Sequence, residues 1–491
     1  MKRRIGWSLL LAVLSSGVVS ADVQVPASTA GRLFSAWLQT LNKGDRAAML
    51  QFTQANLPNA RPGFTGFVFD QTEGLDVQEV EPSTDSEVVV LVRARGPKKQ
   101  LLRISSRITT ETPPRIADIR LFDAATPPSV SATSRPADVK RSTPTEAETI
   151  AALQAQLEHD AASGRFSGAV MVSKNGAILF SRAYGLADRD KKTPNKPDTR
   201  FRMGSMNKMF TAIAVLQLVQ AGKVALNDPI GKYIKDYPNP EVARTVTVHH
   251  LLTHTGGTGD IFGPDYFTHR LELRTHDDYV RLFGTRTSMA VPGSYAYSNF
   301  GMILAGVIVE RVTGQSYYDY VEEHIFKRAG MTRTGSLPED QEVPDRATGY
   351  MRSRDGDSLT PNTDVLPYRG TAAGGGYSTV GDLVKFADAL LGNKLLNARY
   401  TELLLQGKVD AGQGRRYAYG FEDERKNGAG AVGHGGSAPG MSGDLRIYPR
   451  SGYVVAVLCN IDAPAARWLP RFSIFNCLSN SLPALAACYP L

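Results

Sequence analysis

From Ser205 to Gln220 the chain presents apolar side chains in almost every direction a helix can face: Met206, Met209, Phe210, Ile213, Val215, Leu216, Leu218 and Val219. A helix of that kind has no solvent side and belongs inside a core. A sizeable domain must therefore surround it. The 491 residues supply one full-size core and a second module besides.

The division between them falls at residues 124–145. From Ala124-Ala125-Thr126-Pro127-Pro128 to Ser142-Thr143-Pro144 the chain is rich in Pro, Ser, Thr and Ala, cannot bury a core, and reads as a linker. Residues 22–123 form a small α+β unit. A helical pattern over Thr29 to Ala55 has Leu33, Phe34, Trp37, Leu38, Leu41, Met49 and Phe52 as its apolar positions. Segments rich in β-branched residues follow at Glu87 to Arg95, Gln100 to Thr109 and Arg115 to Phe122, which predicts a helix laid on a curved antiparallel sheet. Through Leu33-Phe34-Ser35-Ala36-Trp37-Leu38 and Asn42-Lys43-Gly44-Asp45 this unit resembles the cystatin-like, nuclear-transport-factor-like modules. That resemblance implies an accessory domain with a structural, dimerising or protein-binding role.

Residues 146–491 hold the main domain. Glu146 to Ala161 predicts a helix, and Asn175-Gly176 between Phe166–Ser173 and Ala177–Gly185 predicts a hairpin, because both turn residues need positive φ. A long helical middle follows. Strands return near Ala431–His434, Gly443–Tyr448 and Tyr453–Cys459, and a last helix runs from Pro464 toward Leu478, kinked or broken at Pro470. Strands at both ends with helices between predict one antiparallel sheet built from both termini, with a helical subdomain beside it.

Residues 1–21 read as an export signal: a basic start at Met1-Lys2-Arg3-Arg4, an apolar run from Ile5 to Val19, and small residues at Val19-Ser20-Ala21. The run is too short and too interrupted for a membrane span, so the mature chain is expected to begin near Asp22, periplasmic or secreted. Of the formal charge of +8, three positive charges belong to Lys2, Arg3 and Arg4, and the rest are scattered, which argues against a nucleic-acid or acidic-membrane partner. The three cysteines, Cys459, Cys477 and Cys488, permit one disulfide, with Cys477–Cys488 the easiest pair, and none has metal-like spacing to a histidine.

Three short runs carry chemistry. Ser205 and Lys208 stand three apart near the start of the apolar helix, about 60° from each other on one face. A capping serine and an outward-reaching lysine would look the same. Pro292-Gly293-Ser294-Tyr295-Ala296-Tyr297-Ser298-Asn299 is a turn followed by extended alternation that puts Tyr297 and Asn299 on one face, with a helix from Phe300 to Gly314 after it. Gly433-His434-Gly435-Gly436-Ser437 stands at a strand end, where glycine permits close backbone approach. Alone, Tyr297 reads as a core aromatic and His434 as a surface histidine.

In this order the runs resemble the penicillin-recognising serine hydrolases, the superfamily of serine β-lactamases, D-alanyl-D-alanine peptidases, D-aminopeptidases and related esterases, with its S-x-x-K element. The likeness is to the branch with Y-x-N as second motif, shared by class C β-lactamases. It covers about residues 148–465, with support from Phe201-Arg202-Met203-Gly204-Ser205, His250-Leu251-Leu252-Thr253-His254-Thr255-Gly256-Gly257 and Gly374-Gly375-Gly376-Tyr377-Ser378-Thr379. It implies a β-lactamase/transpeptidase-like α+β fold, a small-molecule or peptide substrate, no cofactor and no metal. Ser205 would be acylated, with either Lys208 or a Tyr297 phenolate as the base, and Tyr297 would pass the proton to the leaving group. Asn299 would bind the substrate amide or support Lys208. His434, Gly436 and Ser437 would line the substrate, and the N–H groups of Ser205 and Ser437 would form an oxyanion hole.

The third run departs from the K-T-G of many relatives: a permanent cation gives way to His434, expected to titrate near neutrality. Members with histidine there resemble D-aminopeptidases and esterases. The expected activity is therefore an exported serine hydrolase acting on amides, D-amino-acid peptides or esters. A class C-like β-lactamase and a non-catalytic peptidoglycan- or peptide-binding protein are the competing expectations. His250 and His254 have the i, i+4 spacing of metal ligands, but Leu251 stands where H-E-x-x-H needs its acid, and a structural turn is expected. No G-x-S-x-G, P-loop or dinucleotide fingerprint occurs.

Overall fold

A computed structural model describes residues 23–58, 64–96, 101–123, 145–286, 292–352, 358–412, 415–425 and 430–462. They fall into two compact units, one within residues 23–123 and one within 145–462. The expected export signal, the linker up to residue 144, the helix from Pro464 and the Cys477–Cys488 pair lie outside the described residues. Cys459, which is described, is buried with a free thiol.

In the first unit the single helix expected over Thr29–Ala55 is two, α1 (Thr29–Asn42) and α2 (Arg46–Asn56). Asp45 makes the break, since its carboxylate accepts from the N–H groups of Ala47 and Ala48 and so starts a new helix. Helix α3 (Phe64–Thr72) and strand β1 (Leu75–Val80), for which the sequence showed no pattern, precede β2 (Glu87–Ala94), β3 (Leu101–Ile108) and β4 (Ile116–Asp123). The four strands pair antiparallel in chain order. Ala30, Phe34, Trp37 and Leu41 recur at helical spacing along α1 and share a core with Val88, Val90, Val92 and Ile104. The indole N–H of Trp37 is satisfied inside that core by Thr65 Oγ1 at 3.1 Å.

The second unit opens with α4 (Glu146–Ala162), started by a capping box between Thr145 and Glu148. Strands β5 (Gly168–Lys174) and β6 (Ala177–Tyr184) turn at Asn175 and Gly176, both at positive φ. Helices then dominate, among them α5 (Lys208–Gln220), α6 (Asn299–Thr313) and α7 (Val380–Leu391). The chain re-enters the sheet as β7 (Val409–Asp410), β8 (Arg416–Tyr417), β9 (Glu422–Asp423), β10 (Val432–Ala438), β11 (Met441–Tyr448) and β12 (Tyr453–Cys459). The order is β7-β8-β9-β10-β11-β12-β5-β6, antiparallel at every pairing, so early and late segments meet where β12 pairs with β5. The short strands β7–β9 carried no alternation in the sequence long enough to predict them.

Both faces of this sheet are covered. Val170, Val172, Val455 and Val457 share a core with Leu153 and Leu157 of α4, while Ala169, Met171, Ala456 and Leu458 belong to the larger core that contains α5 and α7. Successive side chains of a strand point to opposite faces, so a doubly covered strand is apolar throughout. Helix α5 is buried on all sides as its composition requires, from Met209 through Leu216. Phe210 meets Phe326 and Phe386 edge-on, with ring centroids 5.1 and 4.9 Å away. Replacing Phe210 by Ala is expected to lower the unfolding free energy of this unit by about 3–5 kcal/mol. The measurement is the urea midpoint, and Leu337→Ala, at a side chain 40% exposed, is the control expected to leave it unchanged.

Candidate active site

Ser205 lies in a 3₁₀ turn, Gly204–Asn207, that feeds directly into α5 at Lys208. The sequence predicts an α-helix carrying both residues on one face, about 60° apart. In a 3₁₀ turn residues i and i+3 eclipse, so the structure brings Lys208 over Ser205. Neither the turn nor α5 has a capping side-chain hydrogen bond, and Lys208 is 0% exposed, so neither of the ordinary readings of this pair holds. Lys208 Nζ donates to Ser205 Oγ at 3.1 Å, to Asn299 Oδ1 at 2.7 Å and to the carbonyl of Ala373. Burial pulls its pKa down to about 7, against an opposing pull from the Asp260 carboxylate.

The acceptors are themselves held. Three consecutive carbonyls are taken by three residues at the start of α5: Thr371 O by Asn207 Nδ2 at 2.7 Å, Ala372 O by Thr211 Oγ1 at 2.6 Å, and Ala373 O by Lys208. From the other side the N–H of Ala372 donates to Nε2 of the buried His276 at 3.1 Å, whose Nδ1 faces Glu310 at 3.0 Å. The Asn299 amide has one allowed orientation. Its Nδ2 donates to both oxygens of Asp260, at 2.9 and 3.1 Å, so its Oδ1 must face Lys208.

Tyr297 reaches the same amine from another direction, with Lys208 Nζ 4.7 Å from its ring centroid and a hydrogen bond between its hydroxyl and Ser205. The sequence puts Tyr297 and Asn299 on one face of an extended segment. In the structure the segment is extended only up to Ser298, which caps α6, and Asn299 is the first residue of that helix. The two still converge on Lys208 because the segment is pinned, with Gly293 N donating to Thr255 O and Ala296 N to His254 O, both at 2.8 Å. Burial of the phenol holds the Tyr297 pKa above its ordinary value, with the Ser205 hydrogen bond opposing.

His250 and His254 do not share a ligand site. His250 Nδ1 accepts from Thr247 N in a capping box, whereas His254 is buried against Tyr297, ring centroids 4.3 Å apart. His254 Nε2 and His434 Nε2 each lie 3.0 Å from the hydroxyl of Tyr417, on β8. His434 is 3% exposed, not a surface residue, and burial pulls its pKa down to about 4, with Glu422 opposing and Lys208 reinforcing. The sequence led us to expect a ring titrating near neutrality. The structure instead makes it neutral at physiological pH, because it is buried with both nitrogens engaged inside the protein.

Gly436 and Ser437 lie within β10 beside the Ser205 turn, not at the strand's end. A methyl group on Gly436 would stand 1.9 Å from Met203 O, so only glycine lets this strand approach. The two-residue turn Pro439-Gly440 closes on the Ala438–Met441 pair, and hydrogen-bonded pairs alternate from there. Ser437, opposite Ser442, thus falls in a non-bonded pair and its N–H points away from β11, toward the edge where β9 pairs only with Val432 and Gly433. A methyl group on Gly204 would lie 3.0 Å from Ser437 N, which places that N–H beside the Ser205 turn.

Ser205, Lys208, Tyr297 and Asn299 therefore share one cluster, with Gly436 and Ser437 along its edge and His434 behind it. Such a cluster can deprotonate a hydroxyl, donate a phenolic proton and present N–H groups to an oxyanion. Asp260, Ala373 and Tyr417 were missed by sequence reasoning. A lone acid after Thr258-Gly259, a backbone carbonyl and an aromatic on a two-residue strand carry no spacing signal.

The sequence profile of the Beta-lactamase family matches residues 149–472. Protein PbpX of Bacillus subtilis is 31% identical over 294 residues, 60% of this chain and 70% of that protein. Curated relatives are spanned over 40 to 70% of their own length. The crystal structure of a penicillin binding protein from Bacillus halodurans is similar at 34% identity and a TM-score of 0.60, covering 65% of this chain and 99% of that one. A D-stereospecific amidohydrolase from Streptomyces sp. is similar at 26% identity and a TM-score of 0.57, covering 66% and 98%. With the match spanning the greater part of the chain and the whole of the described second unit after its first few residues, this protein belongs to the Beta-lactamase family of serine hydrolases.

Proposed function

We propose that the chain is an exported hydrolase that cleaves amide and ester carbonyls, D-amino-acid amides and peptides among them, through an acyl intermediate on Ser205. The observation that carries this reading is the set of contacts at Lys208. Asn299 Oδ1 and Ala373 O can only accept, so a neutral Lys208 directs both N–H bonds at them and turns its lone pair to Ser205 Oγ, 3.1 Å away. An amine drawn down to about 7 is available for that role near neutral pH. Tyr297, displaced in the opposite direction, keeps its proton. Two neighbouring groups pushed apart in this way support Lys208 as the base and Tyr297 as the acid.

In the acylation step Ser205 Oγ bonds to the substrate carbonyl carbon as its proton passes to Lys208. The resulting oxyanion is received by the N–H groups of Ser205 and Ser437. The bond to the leaving nitrogen or oxygen then breaks as Tyr297 protonates it, and the proton that Lys208 took from Ser205 passes to the Tyr297 phenolate beside it, which restores both groups. Water repeats the sequence in reverse to release the acid. Asn299 fixes Lys208, and Gly436 keeps the strand close to the substrate.

The charge balance favours substrates without a carboxylate beside the scissile bond. His434 is neutral, and the nearby Arg446 is fully buried among Asp444 at 3.0 Å, Glu422 at 2.7 Å and Glu424 at 3.9 Å. The D-stereospecific amidohydrolase among the similar structures supports the amide part of this reading. The basic, apolar and small-residue segments of residues 1–21 support export. The first unit, with its helices α1 to α3 and a four-stranded antiparallel sheet, would be an accessory module.

A fluorophosphonate probe is expected to label the wild type and not Ser205→Ala. Equal labelling of both would refute the assignment. With a p-nitrophenyl ester, kcat/KM is expected to rise about tenfold per pH unit below about pH 7 and to level off above it, since only neutral Lys208 accepts the proton. A profile flat through that region would exclude Lys208 as the base. Across a panel of D-amino-acid amides, short esters and nitrocefin, nitrocefin is expected to be the poorest substrate. Brisk nitrocefin turnover would favour a class C-like β-lactamase, and no turnover of any substrate a binding protein.

A further inference from the structure

Behind Tyr297, two imidazoles and a phenol that the proposed steps do not use form one hydrogen-bonded chain. The direction of each bond is forced by the atoms at its two ends. The backbone N–H of Ser298 can only donate, so His254 Nδ1, 3.2 Å away, accepts. A neutral His254 then carries its proton on Nε2, which faces Tyr417 Oη at 3.0 Å. At the other end Gly435 O can only accept, so His434 Nδ1, 2.5 Å away, carries the proton. His434 Nε2 is left as an acceptor, and it too faces Tyr417 Oη at 3.0 Å. Tyr417 therefore accepts from one histidine and donates to the other, and every polar atom is satisfied with no charge present.

This chain is the inner wall against which Tyr297 rests. The His254 ring centroid is 4.3 Å from that of Tyr297 and 4.6 Å from that of Tyr417, and His434 lies 6.4 Å from Tyr297. Tyr297 itself is 38% exposed, so this wall covers only part of its ring. Among the described residues the other ionisable groups facing the two histidines are Lys208, Glu422 and Arg446, with Tyr295 edge-on to His254 and tilted against Tyr417.

We propose that Tyr417 is a positioning residue for Tyr297: by accepting from His254 Nε2 and donating to His434 Nε2 it satisfies the inward nitrogens of two neutral rings and keeps the wall behind the proton donor rigid. The inference rests on the proposed role of Tyr297 as that donor. Burial acts in the same sense, lowering the pKa of both imidazoles, and the Lys208 charge reinforces it at each. A proton on His434 Nε2 would leave the Tyr417 hydroxyl facing two donors with its own proton unplaced. It would also set a second cation beside Lys208.

Two experiments test this. In ¹⁵N-histidine spectra of the full-length wild type, with signals assigned through His254→Gln and His434→Gln, His254 is expected as the Nε2–H tautomer and His434 as the Nδ1–H tautomer. Both should hold from about pH 5 to about pH 8. An imidazolium or the opposite tautomer at either ring in that range overturns the proposal, whatever the enzyme's activity. Tyr417→Phe then removes the hydroxyl and keeps the ring. It is expected to lower kcat for a p-nitrophenyl ester about tenfold with KM within about twofold, and to steepen the acid limb from one proton to two as His434 Nε2 becomes free to titrate. A pH profile that superimposes on the wild type, or a loss confined to KM, overturns it as well. If Tyr417→Phe does not fold, the wild-type spectra decide. Turnover that survives Ser205→Ala would defeat the proposed function and, with it, the role assigned to Tyr417.

Discussion

An amine taken out of water loses its hydration and regains stability only through the acceptors its new surroundings supply. Lys208 finds three of them and, among the described residues, no carboxylate in ion-pair contact. A direct carboxylate partner would have kept it protonated. The acceptors instead leave its pKa near neutrality while fixing where its hydrogens point. Asp260 stands one residue removed and acts through Asn299, which its two oxygens orient. Distance here separates two jobs: orientation is transmitted in full, whereas the Coulomb pull toward the charged form is weakened.

Those acceptors are useful only while they cannot move, and the fold provides for that. Asn299 is the first residue of a helix buried along most of its length, and Ala373 belongs to a backbone stretch held by Asn207, Thr211 and His276. The amine itself hangs from α5, whose burial on every side leaves it no freedom to shift. The all-apolar helix is thus more than packing. A helix with a wet face could tilt or fray, and the Ser205 to Lys208 geometry would loosen with it.

What the sequence disclosed follows from this division. The antiparallel sheet built from both ends of the domain, the Asn175-Gly176 turn, α4 and the buried α5 were legible because periodicity and turn chemistry are local. So was the association of Ser205, Lys208, Tyr297, Asn299 and the Gly436-Ser437 edge, through resemblance of three ordered runs. Two kinds of feature were not legible. Asp45, a single capping residue, overrode the continuous apolar pattern of Thr29–Ala55, and a 3₁₀ turn replaced the first α-helical turn at Ser205 because strand β10 and the 370–376 segment crowd it. Partners such as Asp260, Ala373 and Tyr417 come from segments 52, 165 and 209 residues away in the chain from Lys208, and no spacing rule joins them.

The state of His434 shows why a residue's type alone fixes little. An imidazole in water titrates near neutrality, and on that basis a histidine in place of lysine would offer a part-time cation. In this protein its nitrogens are committed to Tyr417 and Gly435 before any substrate arrives, and burial disfavours the charged form. Arg446 is likewise committed to carboxylates. The consequence is a site in which Lys208 is brought down to about 7 while His434 is held well below it. His254 is shifted down as well, so the proton that Lys208 is proposed to take from Ser205 meets two neutral imidazoles on that side of the site and no second cation.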